Sequence, residues 1–227
     1  MDRESGTRTL DEGERYLSVR DPRMARLIER VRGADGLTPQ ALWAEARPAL
    51  EALLRAIVGQ QLSGAAARTI FARFKRLLDA DVVTPQTVLA LPESTLRSVG
   101  MSSQKARFLH SVCRAVATSQ LDLSHMAELS DEQVMEALIA IDGIGRWTAE
   151  MFLIFHLQRP DILSCHDVGI RRGLQIAYGL PSKPAPQAVA DIGMKWSPHR
   201  TLASRYLWAA VNLKLVPEVL LVTLPRR

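Results

Sequence analysis

Leu138-Ile139-Ala140-Ile141-Asp142-Gly143-Ile144-Gly145-Arg146-Trp147-Thr148-Ala149 is the stretch on which the reading of this chain turns. Two glycines one apolar residue apart let the backbone reverse between two helices. Upstream, Ser130 and Gln133 have capping-box spacing and open a helix that carries Val134, Leu138 and Ile141 inward. Downstream, a second helix is predicted from about Arg146 to His156. Its first N–H groups lack carbonyl partners and lie at the positive end of the helix dipole, which suits a phosphate. Ile144 is expected to plug the turn into the core. An ordinary αα-hairpin can also turn on Gly-x-Gly. Thr148-Ala149 and the apolar flanks favour a helix-hairpin-helix over about residues 130–156, a device that grips a nucleic-acid backbone whatever its sequence. Gly143, Ile144, Gly145, Arg146 and Thr148 are its expected DNA contacts. Such a hairpin does not by itself make an enzyme.

Working outward, helices are all that the pattern offers. Asp21-Pro22 opens one with Met24, Leu27, Ile28 and Val31 at core spacing. Pro48 opens another with Leu50, Leu53, Leu54, Ile57 and Val58 inward. Gly59-Gln60-Gln61-Leu62-Ser63 interrupts it, and Ser63 caps a helix running to Leu78. Thr84-Pro85 and Pro92 open two short helices, and a longer one spans about Ser103 to Thr118. Asp167 caps a helix that ends at Tyr178-Gly179, residues 181–186 read as a linker, and a last helix covers about His199 to Leu215. No alternating strand pattern or repeat occurs. The expectation is an all-α fold of two helical subdomains with a DNA-binding cleft. Residues 1–20 are expected to be flexible, 21–58 and 160–227 to form one subdomain, and 59–159 the other.

Composition narrows the classes. The 227 residues are 47% hydrophobic, enough for a sizeable core, and carry a net charge of +5. From Arg171 onward there are nine Lys and Arg against Asp191 and Glu218, a balance of +7 that leaves −2 for everything before. This basic quarter reads either as phosphate contacts or as a solvated helix face. Two cysteines, Cys113 and Cys165, cannot build a disulfide framework or a four-thiolate iron–sulfur cluster. With no apolar signal core and no run of about twenty apolar residues, the reading is a reduced intracellular protein without a membrane segment, most simply in a bacterial cytosol.

Beyond the hairpin comes Ser164-Cys165-His166-Asp167-Val168-Gly169-Ile170. Together with 59–63, 143–149 and the Trp196-Ser197-Pro198-His199-Arg200 to Trp208 stretch, it resembles the helix-hairpin-helix DNA glycosylase superfamily. Within that superfamily it looks like the 3-methyladenine DNA glycosylase II family, in a compact form without the N-terminal β domain that many members carry. The resemblance spans roughly residues 20–215. It implies removal of an alkylated base of the 3-methyladenine or 7-methylguanine type, leaving an abasic site in base excision repair.

The residues fit such chemistry. Breaking an N-glycosidic bond builds positive charge on the sugar, and a carboxylate nearby stabilises it and can orient or deprotonate water. The resemblance gives that role to Asp167, which otherwise reads as a plain N-cap. Relatives that also nick the backbone carry a Schiff-base lysine on the second hairpin helix. Trp147 holds the matching position, so hydrolysis without lyase activity is expected.

A base must leave the duplex to be attacked. By resemblance Gln61 fills the hole, while Gln60 bonds backbone in its own turn, and Trp147 and Trp208 line the base pocket. An indole face favours a cationic alkylated base by ~0.5–2 kcal/mol. Ser102, Ser103 and Lys105 match a loop that touches the opposite strand, though a capped helix start explains them as well. Relatives hold an alkali cation, Na or K, on hairpin carbonyls, here those of Ile139, Ile141 and Ile144. No other cofactor is required, and a monomer on double-stranded damaged DNA is the expected working form.

Two rivals stay open. One is a glycosylase for another lesion, such as hypoxanthine, ethenoadenine or uracil. The other is a non-catalytic DNA-binding protein. A nucleophilic Cys165–His166 pair is disfavoured, because neighbours on an extended segment point opposite ways.

Overall fold

The computed structural model describes residues 11–34, 47–78 and 82–217. Trp43, which the sequence left without a role, and residues 1–10 lie outside the described residues. In chain order the helices are α1 (Glu12–Arg20), α2 (Pro22–Arg32), α3 (Ala49–Gly59), α4 (Gly64–Lys75), α5 (Pro85–Leu89), α6 (Glu93–Ser98), α7 (Ser103–Ala117), α8 (Asp131–Ile139), α9 (Arg146–Phe155), α10 (Val168–Tyr178), α11 (Pro186–Gly193) and α12 (Arg200–Asn212). No strand occurs among the described residues, as the all-α reading expects. No helix among them is long and apolar enough to cross a membrane.

The chain divides into two units, Met1–Trp43 with Pro160–Arg227, and Ala44–Arg159. The return at residue 160 is where the sequence placed it; the first boundary is not. The predicted break after residue 58 put α3 in the wrong unit. Its apolar stripe, Leu53, Leu54, Ile57 and Val58, is fully buried, and α3 packs on α4, α7 and α9. An amphipathic stripe demands a partner without naming it.

In the discontinuous unit, α10 packs on α12. A Cβ at Gly173 would lie 2.4 Å from the Leu207 carbonyl oxygen, so only glycine permits this approach. Met24, Leu27 and Ile28 of α2 join Ile170, Leu174 and Leu207 in one core. Burying each such side chain contributes ~1.5–3 kcal/mol.

The expected flexibility of residues 1–20 fails over α1. Asp11 and Glu14 form a full capping box, and Leu17 is fully buried. Glu14 accepts from the Tyr206 hydroxyl and from Arg32 at 3.1 Å. These are polar anchors, which a search for apolar periodicity passes over. The sequence also missed α11, a short helix begun by Pro186 that buries Val189. Trp196, likewise unassigned, is buried and donates Nε1–H to Asp21 at 2.7 Å.

Candidate functional site

The hairpin forms as predicted. Ser130 caps α8 through the Gln133 amide, Gln133 returns the bond, and the C-cap of α8 is Ala140. The Ile144 N–H donates to Ile141 O at 3.1 Å and closes the turn. Ile141 and Ile144 are buried, while the Ile139 side chain is 45% exposed. Gly143 has φ +95°, and a Cβ there would lie 2.4 Å from Phe108 Cγ. Gly145 differs: it is the N-cap of α9 in extended backbone, and a Cβ there meets nothing within 4 Å. No side chain caps this helix, in contrast to α4, α7 and α8, each capped by a serine. The start of α9 thus offers amides and dipole with open space before Gly145, the geometry of an anion seat. Arg146 stands beside it, its side chain 74% exposed, with Nε on Glu150 Oε1 at 2.9 Å.

Two expectations change. Thr148 is buried, and its hydroxyl accepts from Gln60 Nε2 at 3.0 Å, so only its backbone remains for DNA. Gln60 does not bond its own turn; Nε2 also donates to Gly143 O at 3.1 Å, joining the α3–α4 turn to the hairpin. Lys105 lies in the capped first turn of α7 and reaches back to the turn after α3. Its ammonium donates to Val58 O at 2.8 Å and Gln60 O at 2.7 Å, and burial pulls its pKa down. Ser102 caps α7 by accepting the Lys105 amide at 3.2 Å and is exposed, while Ser103 is half-buried. Gln61 is exposed with φ +57°, a left-handed residue at the apex of the turn. Half-buried Trp147 packs near Gly59, whose built Cβ lies 3.9 Å from its Cη2.

The carboxylate is assembled in the other unit. Asp167 is the N-cap of α10, and Oδ1 accepts from the Ile170 amide at 2.7 Å. The same oxygen accepts Trp208 Nε1–H at 2.8 Å. Trp208 comes from α12, 41 residues away, and sequence reasoning gave it a pocket role without this bond. Gly169 makes room: a Cβ there would lie 2.8 Å from Trp208 Cδ1 and 3.0 Å from Asp167 Oδ1. His166 is exposed, whereas Cys165 is half-buried with Sγ toward Leu163 O at 3.7 Å.

Most cations of the basic quarter, among the described residues, are engaged within the fold. Arg171 donates to Pro184 O, Arg172 to Gln175, and Lys195 pairs with Asp21. Arg200 forks onto both oxygens of Asp161, and Arg205 is 2% exposed. Among the described residues, no cluster of three or more His, Cys, Asp and Glu is placed to hold a metal ion.

Comparison with known proteins agrees with this geometry. Residues 54–199 match the family described as HhH-GPD superfamily base excision DNA repair protein. DNA-3-methyladenine glycosylase 1 of Schizosaccharomyces pombe is 34% identical over 207 residues, which are 90% of this chain and 89% of that protein. The alkylbase DNA glycosidase-like protein of the same yeast is 35% identical over 203 residues, 88% of this chain and 93% of that one. The solved structure of Schizosaccharomyces pombe 3-methyladenine DNA glycosylase in complex with abasic DNA superposes with a TM-score of 0.81 at 32% identity, covering 89% of this chain and 97% of that chain.

Proposed function

The chain belongs to the HhH-GPD superfamily of base excision DNA repair proteins, and from that premise we propose that it is a monofunctional DNA glycosylase for alkylated bases. It binds double-stranded DNA, extrudes a damaged base of the 3-methyladenine or 7-methylguanine type, and hydrolyses the N-glycosidic bond to leave an abasic site. The observation that carries the proposal is the carboxylate of Asp167, aimed by two donors on one oxygen.

The steps follow from the side chains. The open N-terminus of α9 takes a backbone phosphate, with Arg146 beside it. Gln61 enters the space that the extruded base leaves. As the glycosidic bond lengthens, electrons move to the base and the sugar becomes cationic; Asp167 stabilises that charge. A cationic alkylated base is already a good leaving group, so little acid assistance is needed. Water adds to the sugar carbon and gives up its proton, with Asp167 as acceptor. Trp147 has no amine with which to form a Schiff base, so the reaction ends at hydrolysis.

An alkali cation at the hairpin belongs to the same proposal. Ile139 is the last residue of α8, at the negative end of that helix, and its carbonyl with those of Ile141 and Ile144 would be the donors. Hard oxygen donors suit such an ion, which would offset phosphate charge. We propose further that the enzyme acts as a monomer.

Asp167→Asn is the deciding variant. Asn caps helices as well as Asp does, and its Oδ1 can accept both native bonds, so the fold is kept while the charge goes. Base release from alkylated duplex should fall by about 10²–10⁴-fold. Release at the wild-type rate would remove Asp167 from the chemistry. The same assay run with 3-methyladenine, 7-methylguanine, hypoxanthine, 1-methyladenine, ethenoadenine and uracil ranks the substrates, and preferential release of uracil would overturn the alkylated-base assignment.

A further inference from the structure

The turn that carries Gln61 is held in an unusual way. Helix α3 ends at Gln60 as C-cap, and Gln61 follows in the left-handed region that a helix-terminating glycine normally fills. A glutamine there is strained, and the last carbonyls of α3 lie at the negative end of its dipole. Both difficulties are met by one group. The Lys105 ammonium, arriving from the first turn of α7, donates to Val58 O at 2.8 Å and to Gln60 O at 2.7 Å. The Gln60 side chain then runs onward to Gly143 O at 3.1 Å and Thr148 Oγ1 at 3.0 Å. One positive charge thus fixes the turn from behind, and one amide locks that turn to the hairpin.

We propose that Lys105 is a positioning residue for DNA-gap recognition: it holds Gln61 erect and in register with the hairpin without touching DNA. Three observations support it. The ammonium lies on carbonyls of the turn itself. Gln61, between the tethered Gln60 and the cap Ser63, is left exposed. The tie ends on Gly143 and Thr148, which flank the anion seat. A half-buried charge on two carbonyls makes strong, directional bonds, and losing it takes the ammonium donor from both acceptors. The proposal rests on the glycosylase reading only for the purpose of the wedge.

The test compares binding of the full chain to two duplexes, one with a tetrahydrofuran abasic analogue and one intact. The readout is the ratio of the two dissociation constants, alongside Tm. Wild type should favour the gap. Lys105→Met should lower the ratio by about ten-fold, the effect of one charge-assisted hydrogen bond, and Lys105→Arg should restore it to within about two-fold. In a Gln61→Gly background, Lys105→Met should change the ratio no further, because both variants remove the same erect wedge.

Equal weakening on both duplexes by Lys105→Met would mean that Lys105 meets phosphate directly, and would overturn the proposal. So would a ratio unchanged by Lys105→Met, or effects of the two variants that multiply. If Lys105→Met does not fold, a folded Lys105→Arg that has lost the ratio overturns it, and one that keeps it supports it. A wild type that favours the gap but releases no base would refute the glycosylase reading and leave this tie standing.

Discussion

Gly143 and Gly145 are two residues apart, yet replacing each with alanine should damage different properties. At Gly143 a Cβ would sit 2.4 Å from Phe108 Cγ and 2.5 Å from Phe108 Cβ, with φ held at +95°. Left-handed backbone costs an alanine ~1–2 kcal/mol. Overpacking against the buried turn adds ~1–3 kcal/mol. The sum, on the order of 2–5 kcal/mol, corresponds to a Tm lowered by about 10 °C in a chain this long. At Gly145 a Cβ meets nothing within 4 Å and φ is ordinary. The poorer N-cap and the stiffer unfolded chain roughly cancel, so Tm should stay within about 2 °C. The methyl group would, however, stand in open space at the N-cap of α9, the end where the proposed phosphate sits. Losing one charge-assisted bond to phosphate should weaken duplex binding by about 10–100-fold. Thermal melts and fluorescence anisotropy on both variants separate the effects. Gly145→Ala binding as wild type, or melting as low as Gly143→Ala, would refute the anion seat.

Three further outcomes follow from the same geometry. Trp208→Phe keeps the ring but deletes the Nε1–H on Asp167, so kcat should fall about ten-fold with a smaller change in KM; an unchanged kcat would show that this bond does not aim the carboxylate. Borohydride reduction during turnover should trap no covalent protein–DNA adduct, and a trapped adduct would refute simple hydrolysis. Asp21 is buried, which raises its pKa, yet the Tyr178 hydroxyl, Trp196 Nε1–H and Lys195 outweigh this and hold it below the ordinary value. Its contribution to stability is therefore present above the unfolded carboxylate pKa near 4 and lost as pH falls through the lower folded value. Asp21→Asn should melt about 5–10 °C lower at pH 7, with the gap to wild type closing below pH 4; a gap independent of pH would mean that the charge is not what counts.

What the sequence could and could not reveal follows from the range of each interaction. The α8–α9 hairpin and α10 were legible because their signals are local: Ser130 with Gln133, Gly143 with Gly145, Asp167 with Gly179. The protein partners of Lys105, Gln60 and Thr148 were not legible because they lie 45 to 88 residues away, and nothing in an isolated lysine says which carbonyl it will find. The basic C-terminal quarter stayed ambiguous for a related reason. A charge count treats Arg200 and Lys195 as free, while Asp161 and Asp21, far upstream, already hold them. α1 escaped because its anchors are Glu14 and a buried tyrosine rather than an apolar stripe.

The same distinction explains why the N-cap at Asp167 was legible and its setting was not. As an N-cap it is readable from its own neighbourhood, and many aspartates would qualify. What separates it from an ordinary cap is Trp208, whose donor shares Oδ1 with the Ile170 amide. Two donors from two helices, with no Cβ at Gly169 to push them apart, define the carboxylate's direction before any substrate arrives. In the proposed reaction, a carboxylate so fixed would not have to reorganise as charge develops on the sugar, and that saving in reorganisation is a large part of electrostatic catalysis. Gly169 is therefore not a turn glycine: its φ is not in the left-handed range, and what it supplies is room for the indole to reach the acid.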